Sequence, residues 1–129
     1  MTTQVLSKLI RKTFEAPDEV RRFPKGRIEL LTLEDTSLAR IFLQPGWKWS
    51  NDIKPTVQTD SCMIPHVQYV ISGRLMVSMD DGEKFEMKPG DTVSIPPGHD
   101  AWVVGDETFV AIDLTGLKEY AARFGPSRK

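Results

Sequence analysis

The stretch Gly90-Asp91-Thr92-Val93-Ser94-Ile95-Pro96-Pro97-Gly98 decides how the rest of the chain is read. Pro89-Gly90-Asp91 is a turn, residues 92–95 alternate β-branched and polar side chains, and Pro96-Pro97-Gly98 stops the run. That is one short strand fenced by punctuation. The same rhythm extends in both directions. Upstream, residues 62–71 form an apolar-rich run closed by Gly73. Residues 74–79 and 83–87 flank Asp80-Asp81-Gly82, a hairpin signal. Downstream, 101–104 and 108–114 flank Gly105-Asp106-Glu107. Nearer the N-terminus, 27–33 and 37–43 flank Glu34-Asp35-Thr36, and Pro45-Gly46 ends the second of them. Ala16-Pro17-Asp18-Glu19 and Phe23-Pro24-Lys25-Gly26 are turn-like breaks. Even spacing of short strands with Gly or Pro between them predicts an all-β double sheet or closed barrel.

Two flanking pieces differ. Residues 1–12 read as an arm or short amphipathic helix. Beyond Gly116, Leu117, Tyr120, Ala121 and Phe124 fall at helical spacing and predict a short C-terminal helix. No repeat, low-complexity tract or linker divides the chain, so residues 1–129 read as a single domain with its barrel core at about 27–114.

With 129 residues, 40% hydrophobic and 27% charged, the chain has the composition of an ordinary globular domain. A formal net charge of −1, with both signs mixed, gives no electrostatic case for nucleic acid or an anionic membrane. No apolar run reaches the ~20 residues of a membrane helix, and 1–11 is too polar for a secretory signal. A single cysteine, Cys62, allows no internal disulfide and points to a reducing, cytoplasmic setting.

Two segments then resemble a known family. Residues 90–98 have the form G-x5-P-x-G. His66-Val67-Gln68-Tyr69-Val70-Ile71-Ser72-Gly73 resembles an E-x6-G segment, with His66 in the glutamate position. Together and in order these resemble the paired motifs of the cupin superfamily. The run 95–107 is similar to small single-domain bacterial cupins. The resemblance spans about 45–114 and implies a jelly roll (a double-stranded β-helix). It implies no one activity, because cupins include dioxygenases, isomerases, epimerases, storage proteins and sensory domains.

The resemblance also implies a metal site, from which this chain departs. The family's His-x-His pair falls near Asp60 and Cys62, and its second-motif histidine falls at Ala101. His99 stands two residues earlier. On an extended strand Asp60, Cys62 and His66 share a face, and His99 shares the parity of Ala101. Cys62, His66 and His99 are therefore the expected metal ligands. Thiolate plus two imidazoles favours zinc, ahead of iron, nickel or manganese. Plain alternatives are a buried thiol acting as a small hydrophobe, hydrogen-bonded core histidines, or a Cys62–histidine nucleophile pair lacking a legible orienting group and oxyanion hole.

Asp60, Gln68, Trp47, Trp49 and Trp102 are the expected ligand-pocket residues. Trp47 and Trp49 share the parity of one strand face, and each tryptophan also reads as ordinary core or dimer packing. The expectation is a cupin that binds a small molecule, with a divalent metal held by Cys and His. Its alternatives are a metal-dependent isomerase, dioxygenase or lyase, and a metal-free interaction barrel. A homodimer is expected from the family analogy and from sheet edges needing cover.

Overall fold

A computed structural model describes residues 6–115. The expected C-terminal helix and residues 1–5 of the N-terminal arm lie outside them. Nine strands and two helical turns follow in order: β1 (Glu19–Phe23), β2 (Gly26–Leu33), β3 (Thr36–Leu43), α1 (Trp49–Asp52), α2 (Lys54–Val57), β4 (His66–Ser72), β5 (Arg74–Met79), β6 (Lys84–Met87), β7 (Thr92–Ile95), β8 (His99–Val104) and β9 (Phe109–Asp113). One sheet runs β1-β2-β3-β9-β4-β7 and the other β6-β5-β8, all neighbours antiparallel. This is the expected double-sheet jelly roll.

Alternation decides which side chains enter the space between the sheets. On β4, His66, Gln68 and Val70 are buried while Tyr69 and Ile71 are exposed. On β8 the inward set is His99, Ala101 and Val103; on β9 it is Phe109, Ala111 and Asp113. They meet Ile28, Ile41, Leu43, Leu75, Val77, Met87 and Ile95 in one core.

Two glycines are required by geometry. Gly73, at φ +74°, crosses so near β9 that an added Cβ would sit 2.5 Å from the Thr108 carbonyl oxygen. Gly98, at φ +96°, turns the chain from Pro96-Pro97 into β8, and so aims His99.

The structure corrects three expectations. A strand precedes the expected core: β1 pairs with β2 from Glu19↔Leu30 to Phe23↔Gly26. Its sequence, Glu-Val-Arg-Arg-Phe, buries only Val20 and Phe23, so the apolar signal is thin. Residues 6–12 take the arm alternative of the two expected there, irregular and exposed. Trp47 and Trp49 are not on a strand: Trp49 opens the helical turn α1, after Pro45-Gly46 reverses the chain. Finally, β4 begins at His66, because Pro65 donates no ladder hydrogen bond, and Cys62 stands apart from it.

A candidate metal and ligand site between the sheets

Cys62 is held by a single backbone bridge. Its N–H donates to the His99 carbonyl (2.7 Å), and its own carbonyl accepts from the N–H groups of Gly98 (2.8 Å) and His99 (3.3 Å). His66 belongs to the six-stranded sheet, where it pairs with Ile95, and His99 to the three-stranded sheet, where it pairs with Met79. The three side chains therefore converge from both sheets. Their ligating atoms lie within 4.8 Å of one another, and all three residues are buried.

Each histidine is oriented from behind. His66 Nδ1 lies 3.1 Å from Asp113 Oδ2, and a carboxylate only accepts, so Nδ1 carries the proton there. In the neutral ring the lone pair is on Nε2, which lies 4.0 Å from Cys62 Sγ. His99 repeats the arrangement, its Nδ1–H donating to the Pro96 carbonyl at 2.9 Å. The two rings meet edge-on, centroids 5.3 Å apart. A histidine whose far nitrogen is tied to a carboxylate or carbonyl is how metal-binding imidazoles are ordinarily presented.

Asp113 is a functional candidate that sequence reasoning missed. It is fully buried at the end of β9. Its Oδ2 accepts from His66 and from Gln68 Nε2 (3.1 Å), and its Oδ1 accepts from the Thr115 N–H (2.8 Å) and the Thr115 hydroxyl. Burial works to raise its carboxyl, yet the hydrogen bonds from His66 and Thr115 outweigh it and hold the group below its usual value. The available signal was parity: Asp113 continues the buried alternation Phe109, Ala111.

Burial favours the neutral forms of Cys62 and His99. Burial pushes the Cys62 thiol up to about 11, with the hydrogen bond at the Ile64 backbone opposing and Asp100 adding to the rise. Burial also lowers His99, against the pull of the Pro96 carbonyl. Asp113 supplies the orienting group that a Cys62–His66 nucleophile pair would need, but burial keeps the proton on the thiol, which meets His66 Nε2 only at 4.0 Å, the long end for a sulfur hydrogen bond. For a cation the same donors are well chosen: two imidazole nitrogens with fixed tautomers and one thiol that a metal would deprotonate. Tetrahedral zinc bonds imply edges of about 3.3–3.6 Å between ligating atoms, so the triangle would contract slightly on binding.

The histidines open into a cavity of ≈ 30 Å³ lined also by Ile41, Leu43, Trp47, Trp49, Gln68, Leu75, Ile95 and Ala101. Of the expected pocket residues, Trp47, Trp49 and Gln68 line this cavity. Asp60 and Trp102 do not. Asp60 is exposed in a bend, because the chain before the bridge is not the continuous strand its parity assumed. Trp102 has opposite parity to His99 and Ala101, so it faces outward beneath Lys48, whose Nζ is 5.2 Å from the ring. Asp100 also faces away, with Oδ1 accepting from the N–H groups of Ser50 (3.1 Å) and Ala101 (2.8 Å).

Among the described residues no helix is long and apolar enough to cross a membrane. No curated protein matches the chain. Residues 63–115 match the cupin domain family. KdgF from a Halomonas species is similar in structure over 83% of this chain and 91% of its own, with 18% identity and a TM-score of 0.57. The Schizosaccharomyces pombe Cnp3 cupin domain matches over 82% and 72%, with 12% identity and a TM-score of 0.55. An oxalate decarboxylase from Lactobacillus farciminis matches over 73% of this chain, with 19% identity and a TM-score of 0.53, but this chain spans only 29% of that one. The match over residues 63–115 and the two-sheet jelly roll fit a small cupin-domain protein.

Proposed function

We propose that this cupin binds a small molecule in its inter-sheet cavity beside a divalent cation, zinc in preference to iron, nickel or manganese, held by Cys62, His66 and His99. One observation carries the reading: three buried donors from two sheets, with both imidazoles fixed from behind by Asp113 and the Pro96 carbonyl. When bound, the metal supplies an electrophilic point for an oxygen or nitrogen of the ligand. Asp113 holds the His66 proton on Nδ1, Pro96 does the same for His99, and the apolar walls exclude bulk water. With His66 and His99 engaged by the metal, the cavity wall contains no carboxylate or lysine to act as a base, which favours binding over turnover. A cytoplasmic homodimer belongs to the same proposal. It is supported by the exposed apolar side chains Tyr69 and Ile71 on the outer face of the larger sheet.

Elemental analysis of tag-free protein tests the metal. One equivalent of zinc in the wild type, lost in both Cys62→Ala and His99→Ala, is the expected result. Metal-free wild type that also fails to take up added zinc would overturn it.

A further inference from the structure

The outer face of the larger sheet carries a groove that the site between the sheets does not use. On β2 and β3 the core residues Ile28, Ile41 and Leu43 alternate with Arg27 and Phe42, so Arg27 and Phe42 face away from the core. The pairing register then lays one row across four strands. Arg22 stands opposite Arg27, Arg27 opposite Phe42, and Phe42 opposite Val110. All four line one groove of ≈ 390 Å³, and no carboxylate lines it. That volume lies within the range of about 300–1,000 Å³ usual for small-molecule sites.

The charges in this row are unbalanced. Arg22 and Arg27 are directly opposed cross-strand neighbours, and like charges so placed repel. The Arg22 guanidinium is exposed and makes no hydrogen bond or ion pair among the described residues. Arg27 is held in place: its Nε donates to Glu29 Oε2 (3.2 Å), and its guanidinium carbon lies 3.8 Å from the Phe42 ring centroid. Glu29 engages only that Nε, which leaves the terminal nitrogens of Arg27 to donate elsewhere. Glu29 is also bound by Arg40 at 2.8 Å. One carboxylate thus serves two guanidiniums, and none is left for Arg22. An anion in the groove would relieve the repulsion, and a guanidinium fixed beforehand gives up little freedom in binding it. The other half of the row, Phe42 and Val110, offers apolar surface to the rest of such a ligand.

We infer that this groove is a second binding site, for a small organic anion whose carboxylate or phosphate head meets Arg22 and Arg27 and whose apolar body lies along Phe42 and Val110. The groove is on the face of the sheet turned away from Cys62, His66 and His99. It depends on neither the metal nor the ligand proposed there.

The test titrates the protein with phenyl phosphate, benzoate, inorganic phosphate and benzyl alcohol. The backbone amides of Phe42, Gln44, Thr108 and Val110, all in the groove wall, are followed by ¹H–¹⁵N NMR. Phenyl phosphate, benzoate or both should move these signals saturably, and the tighter of the two names the head group. Added salt should weaken the binding. Arg22→Gln should weaken it about three- to tenfold, and Arg22→Lys, which keeps the charge, by less. Since the Arg22 side chain has no partner to lose, these variants probe the groove without unsettling the sheet. Signals indifferent to both aryl anions overturn the inference, as does unweakened binding to Arg22→Gln. Benzyl alcohol binding as tightly as the anions leaves no part for the arginines, and inorganic phosphate binding as tightly as phenyl phosphate leaves none for Phe42 and Val110. Either result overturns it too. Signals that shift with protein concentration alone would put a second copy of the chain in the groove and overturn the small-molecule assignment.

Discussion

Asp113→Asn is the most informative single change, because the carboxylate is fully buried and accepts four hydrogen bonds. Asparagine keeps the shape but offers only one accepting oxygen. In its better orientation that oxygen stays with His66 and Gln68, and the new amide group faces Thr115. The Thr115 hydroxyl can rotate to accept, whereas the Thr115 N–H loses its partner. One orphaned donor costs about 1–3 kcal/mol, and two charge-assisted bonds become neutral ones at about 0.5–1 kcal/mol each. The sum is a destabilisation of about 2–5 kcal/mol, measurable by urea denaturation of metal-stripped protein. The sign with pH follows from the lowered Asp113 carboxyl. The stabilisation is fully present above the unfolded value near 3.8 and is lost as pH falls through the lower folded value. The wild-type advantage should therefore shrink only in acid, below a pH of about 3.8. A loss under ~1 kcal/mol at pH 7, or an advantage that still grows as pH falls below about 3.8, would refute the account of Asp113 as a satisfied, ionised hub.

Other consequences are quicker to check. In metal-stripped protein, the Cys62 thiol at about 11 against an ordinary 9.0 carries roughly a hundredfold less thiolate at pH 7.5. Its reaction with a disulfide reagent should be slower than a free thiol's by at least that factor, and a rate near that of free cysteine would contradict the burial. Gly98→Ala places a Cβ at φ +96° and 3.0 Å from Asp80 Oδ2. Strain of about 1–3 kcal/mol and weaker zinc retention are expected together by denaturation and metal analysis. Gly73→Ala should be harsher, since its Cβ meets backbone on β9, and failure to accumulate folded protein is the expected result by circular dichroism. Phe109→Ala removes a fully buried ring and should cost about 3–5 kcal/mol in the same urea assay, with under ~1.5 kcal/mol counting against the assigned core.

The turns made most of the barrel legible. Gly90, the Pro96-Pro97-Gly98 stop and the Asp80-Asp81-Gly82 hairpin each impose a local reversal that no packing needs to supply, and the strands between them fall into place. Where burial rather than turn chemistry decides, the sequence says less. β1 is a strand because β2 offers it an edge, not because Glu-Val-Arg-Arg-Phe is strongly apolar. Trp47 and Trp49 reach the core through a turn and a helix start, although i,i+2 spacing suggests a strand. Strand parity puts Cys62 and His66 on one face only if a single strand runs through both. They meet instead because a backbone bridge seats Cys62 against His99. The pairing of Asp113 with His66 spans 47 residues, and no local pattern encodes such a contact.

That bridge has a further physical consequence. His66 is anchored in one sheet and His99 in the other, with Cys62 stapled to the second by three amide protons and two carbonyls. Whatever grips all three acts as a rivet through the barrel wall, and separating the sheets then requires letting go of it. Amide hydrogens in β4 and β8 should exchange with solvent independently while the rivet is out and in step once it is in. The slowing would match the free energy of the grip itself.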